Sequence, residues 1–297
     1  MENQLYRYWP IVRRPRFELP DDARVALYIG LNVEHYEIGK PATSIFSGTA
    51  ALRPDPLNYG WRDYGPRVGI WRMMELLDKY GMRASVLLNS DVCHRYPEII
   101  EEGNARDWAW LAHGKNNSIF EADMSAEEER DYLADVIGTI RKKTGREPKG
   151  WLGPALTETF NTPDILADLG LSYILDWCND DQPYPVNVEH SRMIMVPYSI
   201  EINDITLFVS KGLTGPDFYQ ILVDQFDMLY EEGARQGRIM ALGLHPFIVN
   251  QPFRHKYLDK ALGYIARHDK VWLTTSDDIA DWYYQHYYDQ AVRELDA

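Results

Sequence analysis

Glu34, His113 and His245 each close an apolar run: "RVALYIGLNVE" ends on Glu34, "WAWLAH" on His113 and "RIMALGLH" on His245. A carboxylate takes up protons and imidazoles exchange them near neutral pH. Together they could supply the base and acid of a hydrolysis, or ligate a metal ion. One histidine at the end of a buried run is as readily structural as functional. Two histidines and a carboxylate closing three separate runs point to a common site. The polar residues near the other run ends are the expected substrate contacts: Asn32, Gly153, Pro154, Asp176 and Trp177, with Asn117 four residues beyond His113.

Positioning such residues requires strands that end at one place. Residues 24–32, 83–89, 108–113, 149–154, 171–177, 238–245 and 271–276 read as strands buried on both faces, and 193–202 as a weaker one because Pro197 interrupts it. Between them lie helical patterns. Residues 67–81 carry Ile70, Met73, Met74 and Leu77 on one stripe before Gly81, and 125–145 pair Ser125 with Glu128 as a capping box and end at Gly145. Further helices are expected over 216–237, 254–268 and 276–288.

Repeated alternation of strand and helix predicts an α/β fold, a single distorted (β/α) barrel of seven to eight mostly parallel strands, whose active site lies at the carboxyl ends of the strands. Residues 24–290 would form the barrel and 1–23 an N-terminal extension packed on it. The Pro-, Gly- and Ser-rich stretch 37–66 is too long for a connector and is expected to form a loop over the site. The tryptophans fall on strands and helix stripes, which assigns most of them to the core. The aromatic-rich helix 276–288 is expected to bury its rings against another subunit or its own barrel.

The 297 residues carry 31 basic and 45 acidic side chains, a formal charge of −14, which has the wrong sign for a nucleic acid partner. No segment has the roughly 18 consecutive apolar residues of a membrane span, and the first residues lack a basic and then apolar leader, so the expected location is cytoplasmic. Cys93 and Cys178 lack C-x-x-C spacing and suggest neither a disulfide framework nor a zinc knuckle.

"LNVEH", "HGKNN", "GWLGP", "LDW" with "NDDQPYP", and "LGLHPF" follow one another as in the polysaccharide deacetylase superfamily, the NodB-homology or carbohydrate esterase family 4 barrel. "VPYSIEIND" and "DYGPRVGIW" make the chain most similar to the branch of PuuE-type allantoinases and cyclic imide hydrolases. The resemblance covers nearly the whole chain from about residue 20. It implies a hydrolase of a non-peptide carbon–nitrogen bond acting on a small-molecule amide, assembled as a homo-oligomer of four or two copies.

Carried over residue by residue, the resemblance also shows departures. The two acidic positions of the first deacetylase motif, base and metal ligand, fall on Asn32 and Glu34. The two metal-binding histidines of the second fall on His113 and Asn117, and the base-orienting arginine of the third has no counterpart in "GWLGPALTET". A divalent metal such as zinc would have only Glu34, His113 and Asn117, and an amide oxygen is a weak ligand. The expectation is therefore that no cofactor is required. Glu34 would act as base, its pKa raised in a dry pocket, His245 as acid, and His113 as a donor to the oxyanion or a holder of water. Two rivals are a metal-dependent N-deacetylase of an amino sugar and a barrel that binds a ligand without turning it over.

Overall fold

The computed structural model describes residues 3–40, 42–120 and 124–296, through which one mostly parallel sheet runs. Its strands are β1 (Val25–Val33), β2 (Ala84–Leu88), β3 (Ala109–Ala112), β4 (Gly150–Trp151), β5 (Tyr173–Ile174), β6 (Tyr184–Val186), β7 (Met193–Met195), β8 (Arg238–Leu244) and β9 (Val271–Thr274). They are ordered β6, β7, β5, β4, β3, β2, β1, β8, with β9 added to β1. The register shows how β1 accommodates three partners. β2 pairs along Ile29–Val33 and β9 along Val25–Tyr28, while β8 runs along Val25–Leu31, so β8 takes one edge and the other two divide the opposite edge. All nine residues of β1 are buried, which is why its sequence is apolar from Val25 to Leu31 instead of alternating, with Asn32 as the buried polar exception.

The sheet curls into a barrel with an open seam. Its terminal strands β8 and β6 do not pair; the chain just before β6 bridges them, through Ile239 N–H to the Asp181 carbonyl (2.9 Å) and Gln182 Nε2 to the Gly237 carbonyl (2.9 Å). Sequence patterning missed β6, which is antiparallel to β7 and contains Pro185. A proline is tolerated there because an edge strand needs its ladder bonds on one side only. The weak run 193–202 is a strand only over Met193–Met195.

Inside the barrel, Ala26 and Tyr28 pack with Leu111, Tyr173, Ile194 and Ile239, whereas Val25, Leu27 and Ile29 turn outward to the helices. Stepping by twos from Tyr28 brings Asn32 and Glu34 to the inner side at the carboxyl end of β1. Trp108, Trp110 and Trp151 are fully buried. The helix Ala126–Thr144 starts on the Ser125–Glu128 capping box, and Ile70–Tyr80 ends on Gly81 in the left-handed region. The helix Ser276–His286 packs on its own barrel: Ser276 N–H donates to Ser85 Oγ (2.7 Å), Tyr173 donates to Asp277 (2.7 Å), and Tyr283 lies against Phe17. Gly69 matters for the site. A side chain there would place its Cβ 2.1 Å from the carbonyl of Pro246, next to His245. Among the described residues no helix is long and apolar enough to cross a membrane.

Candidate active site

The carboxyl ends of β1, β3 and β8 bring Glu34, His113 and His245 together. Glu34 Oε1 lies 3.3 Å from His113 Nε2 and 3.8 Å from His245 Nε2, and it also accepts a hydrogen bond from Asn117 Nδ2. Its Oε2 accepts from the Tyr36 hydroxyl at 2.5 Å. Both imidazoles are oriented from behind. His113 Nδ1 donates to the Leu152 carbonyl (2.6 Å) and His245 Nδ1 pairs with Asp204 Oδ1 (2.6 Å), while the other Asp204 oxygen accepts the His245 backbone N–H (2.7 Å). Each ring therefore turns Nε2 toward Glu34.

The site is dry: the side chains of Glu34, His113 and His245 are 3%, 2% and 6% exposed. Sequence reasoning expected burial to raise the Glu34 pKa, and the structure reverses that. Burial does push it up, but the charge of His245 and the hydrogen bonds from His113 and Tyr36 outweigh burial and hold it below its ordinary value. Burial likewise depresses His245, yet Asp204 and Glu34 together raise it. Asp204 is raised by its own burial, against the pull of His245. A proton shared within the Asp204–His245 pair fits both directions.

Asn117 has an orientation that can be traced back to the main chain. The His35 N–H donates to Asn89 Oδ1 (2.9 Å) and the His113 carbonyl accepts from Asn89 Nδ2, so the Asn89 amide can point only one way. Its Nδ2 then donates to Asn117 Oδ1 (2.9 Å), which leaves the Asn117 amino group aimed at Glu34. Asn117 thus presents a donor, not an oxygen, to the position where an ion would need a ligand. Among the described residues no group of three or more His, Cys, Asp or Glu could hold a metal ion. Glu34, His113 and Asn117 therefore do not fit a divalent ion, and His35 turns instead to the Tyr96 hydroxyl (3.4 Å). Asn89→Leu, which keeps the volume but orphans these three partners, is expected to destabilise the protein by roughly 3 kcal/mol, since each buried polar group without a partner costs about 1–3 kcal/mol. Urea unfolding with an unchanged midpoint would contradict this account.

The remaining expected contacts serve the framework. Asn32 is buried below Glu34 and donates to the Tyr198 hydroxyl and the Leu244 carbonyl, both at 3.3 Å. Gly153 N–H donates to Asp176 Oδ1 (2.7 Å), and a Cβ on Gly153 would meet the Thr157 carbonyl at 1.9 Å. Gly153 thus faces a tight turn and not an open pocket. Pro154 packs on Gly114, and Trp177 Nε1 donates to Glu158 (2.7 Å). Sequence reasoning missed Tyr36, although it lies two residues from Glu34, and Asp204, although it ends the quoted "SIEIND".

The stretch 37–66, expected to be a loop, is helical over Pro56–Tyr64, and that helix reaches the site. Tyr59, Arg62, Asp63 and Pro66 line a hollow of about 10 Å³ with Glu34, and Trp61 and Tyr36 meet Phe247 edge-on at 4.8 and 6.1 Å. A volume of that order admits one water molecule. A larger cavity, about 680 Å³, lies elsewhere, in the seam between β8 and the N-terminal segment. The chemistry favours the small hollow, because it opens beside Glu34, the carboxylate that His113 and His245 approach.

Comparison with known proteins agrees with this geometry. The polysaccharide deacetylase family model matches residues 61–174. The peptidoglycan deacetylase of Helicobacter pylori is 25% identical over 264 residues, 77% of this chain and 87% of that protein. A Schizosaccharomyces pombe protein named for the same family is 28% identical over 244 residues, 76% of each chain. The crystal structure of PuuE allantoinase superposes with a TM-score of 0.85 at 26% identity, covering 93% of this chain and 96% of that one. One from Pseudomonas aeruginosa PAO1 bearing the polysaccharide deacetylase name gives 0.85 at 27%, covering 92% and 95%. The chain is thus similar in fold, along nearly the whole length of the two superposed structures, to proteins named for polysaccharide deacetylase and allantoinase activity, and it is a hydrolase of non-peptide carbon–nitrogen bonds.

Proposed function

We propose that the chain hydrolyses the ring amide of a small cyclic amide or imide, and does so without a metal ion. The observation that carries this reading is the enclosed set of donors around Glu34. His113, His245, Asn117 and Tyr36 all converge on one carboxylate whose side chain is 3% exposed. A polymer needs an open groove, whereas a compact ring needs only a pocket beneath a loop that moves aside. The likeness to PuuE allantoinase, whose name denotes a cyclic substrate, supports the same reading.

The residues suit the steps of amide hydrolysis. Glu34, ionised because its neighbours hold its pKa down, takes a proton from water as the oxygen attacks the carbonyl carbon. Tyr36 and Asn117 are neutral donors beside the developing oxyanion; burial raises the Tyr36 pKa well above its ordinary value, so it keeps its proton. His245, oriented by Asp204, protonates the leaving nitrogen and the ring opens.

The test is a screen of allantoin, hydantoin, succinimide and N-acetylglucosamine before and after exhaustive chelation. Turnover of a cyclic amide that survives chelation is the expected result, because no Lewis acid contributes to the step. Activity that disappears on chelation and returns with zinc or manganese, or turnover of N-acetylglucosamine alone, would overturn the reading.

A further inference from the structure

Arg62, close to Glu34, is left unused by the mechanism above. It sits in the helix Pro56–Tyr64, is 6% exposed, and lines the same hollow as Glu34, Tyr36 and Tyr96. Its guanidinium lies over the Tyr36 ring, with Cζ 4.8 Å from the ring centroid. The Tyr36 hydroxyl donates to Glu34, so a single phenol ring separates Arg62 from the carboxylate. Among the described residues no carboxylate forms an ion pair with Arg62. Nη1 donates to the Thr43 carbonyl, whereas Nε is buried without a partner.

A buried guanidinium with an unmatched donor is costly, and its planar fork is shaped for paired oxygen acceptors. Burial depresses its pKa, and nearby Tyr36, Asp55, Tyr59 and Glu34 offset this in part, so the surroundings do not fully compensate the charge. Loop anchoring accounts for Nη1 only. It leaves unexplained the buried, unpartnered Nε of a residue that lines the same hollow as the proposed base.

Building on the cyclic-amide reading, we infer that Arg62 is a substrate-recognition residue that binds a second acceptor oxygen of the ring substrate, separate from the carbonyl under attack. That oxygen has two sources, the other carbonyl of an imide or ureide ring, or a carboxylate carried on the ring. In either case Arg62 fixes which carbonyl faces Glu34, and ring amides with one carbonyl and no anionic group bind weakly.

The experiment uses wild type, Arg62→Lys and Arg62→Met, with circular dichroism to establish that each is folded. Three probes are compared: succinimide as substrate, and 5-oxoproline and 2-pyrrolidinone as competitive inhibitors of its turnover. In wild type, 2-pyrrolidinone should inhibit more weakly than 5-oxoproline if the oxygen is a carboxylate. If it is a ring carbonyl, both should bind more weakly than succinimide, and this comparison needs no variant. Arg62→Met should raise the succinimide KM, or the inhibition constant of 5-oxoproline, by about 10- to 100-fold, the usual worth of a hydrogen bond to a charged group. kcat should change far less, the 2-pyrrolidinone constant should not move, and Arg62→Lys should fall between. Equal losses for all three probes, or a loss confined to kcat, would assign Arg62 to loop structure and overturn the inference while leaving the cyclic-amide reading intact. A wild type that turns over no cyclic amide or imide overturns both, and is recognised before any variant is made.

Discussion

Glu34→Gln is expected to lower kcat/KM by roughly 10²- to 10⁴-fold on any cyclic amide the enzyme turns over, because a positioned general base typically contributes that much. Glutamine fills the same volume but cannot serve the same partners. Glu34 now receives donors on both oxygens, Tyr36 on Oε2 and the Asn117 amino group on Oε1. A glutamine has one oxygen to offer, so whichever way its amide turns, an N–H faces a donor. A drop in stability of about 1–3 kcal/mol should accompany the loss of rate. Added zinc should restore neither, since Asn117 directs an amino group into the site. Retention of wild-type kcat/KM by a folded Glu34→Gln protein would remove Glu34 from the mechanism.

Asp204→Asn should act through His245 and show most clearly in the pH profile. Glu34 is held below its ordinary pKa and His245 above it, so the active combination of ionised Glu34 and protonated His245 should span a plateau. The acid limb should fall below the ordinary carboxylate value of 4.5 and the alkaline limb above the ordinary imidazole value of 6.5. Replacing Asp204 removes the largest influence that raises His245 and leaves burial, which lowers it. The alkaline limb should therefore move down in pH, with kcat at pH 8 reduced by roughly 10²-fold or more. The acid limb, set by Glu34, should move little. If the substitution lowered the rate equally at every pH, Asp204 would be a packing residue and the acid would have to be sought elsewhere.

The parts of the site that were legible in the sequence are those fixed by strand geometry. In a parallel barrel the polar residue that closes each strand must arrive at one end, which is sufficient to gather Glu34, His113 and His245. The same rule placed Gly153, Pro154 and Asp176 at that end, but it could not tell a residue that faces the pocket from one that shapes the turn. Gly153 illustrates the difference, since its Cα is pressed against a carbonyl of its own loop. Asp204 and Asn89 act across the sheet on residues distant in sequence, and no local period encodes such a pairing. The direction of the Glu34 pKa was misread for the same reason: burial can be inferred from an apolar run, whereas the groups that outweigh it include His113 and His245, from two distant segments. The strand β6 was hidden because its proline argues against a strand until its edge position is known.

The division of β1 among β2, β8 and β9 has a consequence for how the chain acquires its structure. Two of those three partners lie in the last quarter of the sequence, so during synthesis β1 emerges early as a mostly apolar strand with one edge bare until β8 is made. Such a strand is a template for wrong pairing, and closing so long a loop is slow compared with local helix formation. The helices can form as they emerge, but the central strand waits. Because Glu34 follows β1 and His245 follows β8, the base and acid first meet when the two ends of the chain pair. Chain termination or cleavage between β7 and β8 would leave a fragment with much of its helix content, no acid and an exposed sticky edge, so catalytic competence and resistance to aggregation are gained in the same late event.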